Sequence, residues 1–128
     1  MIIIKRENNE ISVMHLVDGA DVDDAIEKFK AVHKDYIRHE EYYGELPDRE
    51  FRDAWSHDVD VDMPRARKLH MNKIRKARDL KLEELDIETL KGNNVQIEKQ
   101  KLRDIPKKFK LTKAKTPEAL SLLWPDGL

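Results

Sequence analysis

DMPRARKLHMNKIRKARDLKLEELDIETLKGNNVQIEKQKLRDIP, the stretch from Asp62 to Pro106, decides the fold. It opens with an acceptor side chain for the free amides of a first helical turn. Pro64 follows, where a missing N–H costs little. From Arg65 to Lys91 neither Gly nor Pro intervenes, and most residues are strong helix formers. At 100° per residue, Met63, Ala66, Leu69, Ile74, Ala77, Leu80, Leu85 and Ile87 fall within an arc of roughly 160°, a broad apolar face. Lys91-Gly92-Asn93-Asn94 supplies a stop and a fresh start: Gly for a left-handed cap, Asn94 as the next N-cap. The second helix is predicted from Val95 to about Asp104, ending before Pro106. A joint this short between two such segments makes an antiparallel αα-hairpin.

Upstream, Ile2 to Arg6 and Ile11 to Val17 are β-branched runs joined by Glu7-Asn8-Asn9-Glu10, a connector suited to a hairpin because Asn tolerates positive φ. Both faces of the second run carry apolar groups, so its core face stays open. Asp21 caps a helix from Val22 to about His33, whose stripe of Val22, Ala25, Ile26, Phe29 and Val32 covers the hairpin. Asp35 to Tyr43, rich in aromatic and β-branched residues, reads as a third strand. Asp48 then starts a short helix with Phe51 and Trp55 both turned inward. Residues 56–62 read as an extended lead-in to the long helix. Beyond Pro106 the basic segment to Lys115 is loose, and Thr116-Pro117-Glu118 begins a last helix to Leu123.

The fold class is therefore α+β. A small antiparallel N-terminal sheet with a covering helix (1–61, of ββαβ type) precedes a long antiparallel helical hairpin with a short docked C-terminal helix (62–128).

Of 128 residues, 40% are charged and 6% aromatic, which implies a thin core and a strongly solvated surface. Lys plus Arg number 25 against 26 Asp plus Glu, so no bulk attraction draws the chain to nucleic acid. There is no Cys, hence no disulfide, thiol nucleophile or Cys-ligated zinc. The first residues do not read as a secretory signal, and no stretch approaches the ~20 apolar residues of a membrane span.

Candidate chemistry is sparse. Asp58-Val59-Asp60-Val61-Asp62 starts like a calcium loop, but Met63 stands where that loop needs Gly, and Leu69 where it needs a bidentate Glu. None of the five His forms a zinc-binding pair, no Ser lies in a glycine-flanked elbow, and the four Gly are too scattered to cradle a phosphate. No catalytic, metal or cofactor residue is assigned, and a non-enzymatic role is expected. One charge feature stands out. Arg65, Arg67, Lys68, Lys73, Arg75, Lys76, Arg78 and Lys81 fill the first half of the long helix, whereas Glu83, Glu84, Asp86 and Glu88 fill the second. The helix dipole prefers the reverse order.

Three passages carry a family resemblance: Phe51-Arg52-Asp53-Ala54-Trp55; Val61 to His70; and Leu102-Arg103-Asp104-Ile105-Pro106 with Thr116 to Leu120 and Trp124-Pro125. Together they resemble small proteins encoded in the tail regions of bacteriophages and prophages of proteobacteria. The Leu-Arg-Asp-Ile-Pro stretch is similar to one near the C-terminus of tail-fibre assembly chaperones. The likeness covers roughly residues 50–125. It implies a protein that binds other tail or virion proteins, in the host cytoplasm during assembly or within the virion. It carries over no functional residue.

The partner-binding surface is expected at Leu122, Trp124 and Leu128, because a short C-terminal helix cannot turn all its apolar residues toward one core. The C-terminal segment could equally meet a second copy of the chain; the cations Arg65, Arg75, Arg78 and Lys81 form a second candidate face, for an acidic protein surface or, in a reading of another class, nucleic acid. No membrane contact is expected.

Overall fold

The first strand is a run of three isoleucines, and its burial on both sides organises the N-terminal half. The computed structural model describes residues 1–128 as two units, Met1–Asp62 and Met63–Leu128. In the first unit, β1 (Ile2–Arg6) lies between β2 (Glu10–Met14) and β3 (Tyr36–Glu41) in an antiparallel sheet of order β2-β1-β3. The β1–β2 connector is a single 3-10 turn, with Asn8 and Asn9 at φ 62° and 58°, the left-handed conformation that Asn accepts more readily than most residues bearing a side chain. Helix α1 (Val22–Val32) is capped by Asp21, whose carboxylate accepts from the Asp24 amide. Ile26 of α1 packs with Ile2 and Ile4, and Met14, Leu16, Val22, Phe29 and Tyr36 close around them. The even-numbered residues of β2 thus face α1, settling the orientation that alternation left open. Ile3, on the opposite face of β1, is also fully buried, as is the Phe51 side chain.

Residues 49–54 form the expected helical segment as a 3-10 turn, with Asp48 accepting from the Glu50 amide and Phe51 and Trp55 both buried. The lead-in to the long helix is not extended as expected. It folds back: Trp55 pairs with Val61, the Ser56 amide donates to the Asp60 carbonyl, and Val59 takes φ 57°. The Ser56 hydroxyl bonds the Asp60 carboxylate, so that aspartate closes the turn.

The second unit is α2 (Met63–Leu90), α3 (Gln96–Lys108) and α4 (Pro117–Leu122). Gly92 takes φ 91°, and the Asn93 amide reaches the Glu88 carbonyl, the left-handed stop expected at this position. Asn94 accepts from the Gln96 amide, and Thr116 from the Ala119 amide, starting α3 and α4. Two expectations fail. Helix α3 does not end before Pro106 but runs through it to Lys108, with the Phe109 amide closing on the Ile105 carbonyl. Proline so near the end removes one bond, and the helix stops within a turn. Second, the apolar arc drawn for α2 is centred on the real inner face, which carries Ala66, His70 and Ile74, but is too wide. Leu80 and Ile87, assigned to the arc, are 62% and 54% exposed. No helix is long and apolar enough to cross a membrane.

Candidate partner-binding groove

The C-terminal segment is held by one buried imidazole. His70, on the inner face of α2, brings Nε2 to 2.6 Å from the Leu123 carbonyl, and its ring meets the Trp124 indole edge-on at 5.8 Å. Arg67, one turn earlier, donates to the Ala114 carbonyl at 2.8 Å. These side chains satisfy carbonyls just outside α4, where no helix ladder can. Leu120 then fills the core, fully buried. Helix α4 has six residues, too few to stand alone, and these anchors fix its orientation.

That orientation leaves Leu122 83% exposed and Trp124 40% exposed. Trp124 Nε1 donates to the Leu128 carbonyl, which folds the last residues into a loop beside the indole. Trp124 also walls a hollow of about 330 Å³ with Ile105, Phe109 and Pro125. A second hollow of about 400 Å³ is floored by Leu85, Leu102 and Ile105 and edged by Lys81, Glu84 and Glu98. Lys101, Ile105 and Asp126 line both, so the two hollows form one groove with an apolar floor and a charged rim. An apolar centre bordered by mixed charges is the usual anatomy of a protein-binding surface.

Of the expected partner-binding residues, Trp124 and Lys81 line this groove. Leu122 lies on the exposed side of α4, and Leu128 is half-buried at the end of the Trp124 loop. The basic face is less uniform than its sequence. Arg67 is turned inward, Arg78 is engaged by Asp79 at 2.8 Å and Lys81 by Glu84 at 3.8 Å. Arg75 is exposed and bonds only the Asn72 amide oxygen, and Arg65 is half-buried in the first turn. Sequence reasoning missed Ile105, Leu102 and Phe109. Ending α3 before Pro106 hid the spacing of 102, 105 and 109 that lines them along one face.

Polar burial near the joint was also missed. Lys99 is buried, and its ammonium lies 2.7 Å from the exposed carboxylate of Asp86 across the hairpin. No group of three or more His, Asp or Glu side chains is placed to hold a metal ion. No protein-family model, no curated protein and no solved structure matches the chain.

Proposed function

We propose that this chain is a non-catalytic assembly factor that binds another virion protein through the α2–α3–α4 unit. The phage or prophage tail setting rests on the sequence resemblance alone. The observation that supports binding is the apolar-floored groove beside the half-exposed Trp124. A tryptophan at the edge of such a groove is the residue type that most often dominates binding energy.

Co-expression with the virion proteins of its own genome tests this reading. The wild-type chain should co-purify with one of them. Trp124→Ala should weaken that complex by about thirtyfold, equivalent to the ~2 kcal/mol of a hot-spot residue. Undiminished binding by a folded Trp124→Ala variant rejects the groove as the interface. Mass spectrometry of purified particles then separates two roles. An assembly factor is absent from them, whereas a permanent component stays in stoichiometric amount.

A nucleic-acid reading has its own observation: Lys68, Arg75 and Lys76 are exposed on α2 without a carboxylate partner. It predicts DNA or RNA affinity that falls steeply with salt. No binding at about 50 mM salt, where phosphate contacts are strongest, removes it.

A further inference from the structure

We propose that the outer face of α2 is a self-association surface, on which α2 of a second copy of the chain lies antiparallel. Leu80, Ile87 and Leu90 are 62%, 54% and 87% exposed, although each is large and apolar. At 100° per residue they fall within an arc of about 80°. That arc is centred roughly 110° round the helix from the face of Ala66, His70 and Ile74. None of the three lines the groove beside Trp124. The half-buried Leu69 extends the same stripe toward the start of the helix.

Two exposed charges share this stripe and make no ion pair within the chain: Lys76 and Glu83. Their neighbours are already matched, Arg78 with Asp79, Lys81 with Glu84, Glu88 with Lys91 and Asp86 with Lys99. Lys76 and Glu83 lie two turns apart, about 10 Å along the axis, beyond the one-turn reach of a pair on a single helix. A two-fold axis through the midpoint between them answers that spacing. Lys76 of each copy then comes level with Glu83 of the other, and two ion pairs close. Leu80, beside the axis, meets its own counterpart. Ile87 comes level with Asn72, between Leu69 and the stem of Lys76, and Leu90 comes level with Leu69. Such an interface is isologous, each contact being made twice.

The charge order of α2 selects a second copy as the occupant. Arg65 to Lys81 is its basic half and Glu83 to Glu88 its acidic half, so antiparallel copies set opposite charges against each other. A parallel pair sets Lys76 on Lys76 and Glu83 on Glu83. The helix dipole disfavours this order, so the isolated helix does not account for it. With a formal net charge of −1, whole copies do not repel.

Sedimentation equilibrium of the full chain and three surface variants tests the proposal. The wild-type chain should form a dimer that loosens as salt rises, because its ion pairs lie at the surface. Lys76→Glu alone and Glu83→Lys alone each turn both pairs into repulsions and should weaken the dimer about tenfold. An equimolar mixture of these two variants should dimerise as the wild type does, since each supplies the charges that the other lacks. Leu80→Asp brings two like charges together on the axis and should leave only monomer. All three positions are exposed, and circular dichroism checks that each variant keeps its helices. A wild-type chain still monomeric at about 1 mM overturns the proposal. So do folded single-charge variants that dimerise at full strength, or a mixture no stronger than its components. Dimerisation that survives the charge variants and is lost in Trp124→Ala overturns it too, and gives self-association to the groove.

Discussion

The two units bury their interiors by different means. Met1–Asp62 closes over large apolar groups: Ile2, Ile3, Ile4, Ile26, Phe51 and Trp55 are all buried. Met63–Leu128 buries no aromatic side chain: Ile74, Leu111 and Leu120 are joined by Ala66 and Ala114, together with the polar His70 and Lys99. Five other large apolar residues of this unit are on the outside: Leu80, Ile87, Leu90, Ile97 and Leu122. One unit is held by packing. The other depends on a few polar anchors and keeps apolar surface for contact elsewhere. A helical hairpin has only one seam to bury, so anchors such as His70 do at its end what a second layer does in the sheet unit.

The comparison breaks first at Phe51. Phe51→Ala empties a fully buried ring site and should cost about 3–5 kcal/mol. Chemical denaturation followed at Trp55 should report that loss. A loss below about 1 kcal/mol, the level of a surface change, would show that packing does not hold this unit. His70→Leu keeps an apolar group in place but leaves the Leu123 carbonyl bare, at a cost of about 1–3 kcal/mol. Leu123–Leu128 amide exchange should accelerate in that variant. Unchanged exchange would mean that Leu120 alone docks α4.

Gly92→Val tests the hairpin joint. Nothing lies within 4 Å of a side chain placed there, so only the positive φ opposes it, at about 1–2 kcal/mol. Thermal unfolding measures the change, and a stabilised variant would reject the left-handed turn.

The smallest effect is a pH dependence of the sheet unit. The Arg6 hydrogen bond and charge hold the Asp35 carboxyl below its ordinary value, against a partial opposition from burial. A depressed folded-state value means that the stabilisation is present above the unfolded carboxylate pKa and fades as pH falls through the folded one. Asp35→Asn should flatten that acid limb of the stability profile. An unchanged limb assigns it to other carboxylates.

The sequence was most readable where one residue type performs one local task. Asp21, Asp48 and Thr116 cap, and Gly92 turns, as their chemistry requires. Reading failed where the answer depended on distant partners. Pro106 signals a stop, yet the last turn of α3 tolerates it because little helix remains to be disrupted. The inner face of α2 is set by α3 and α4 packing against it, and periodicity alone drew the arc wide enough to take in Leu80 and Ile87 at its exposed edge. Lys99 is a surface residue by type, and its burial follows from cross-hairpin register with Asp86. At the candidate site, Trp124 and Lys81 were legible as an aromatic of the type that dominates binding and as the last cation of the basic run. The floor beneath them needed the true length of α3.

The placement of the two tryptophans gives each unit its own optical reporter. Trp55 is 6% exposed and Trp124 40%, so their emission should differ in colour and in access to a soluble quencher such as acrylamide. Unfolding of the sheet unit shifts the Trp55 emission to the red. An occupant in the groove shields Trp124 and leaves Trp55 as it was. Trp124→Phe isolates the first signal, and subtracting it recovers the second from the unlabelled chain. Occupancy of the groove and integrity of the sheet can then be followed in one cuvette, without attaching a dye to either.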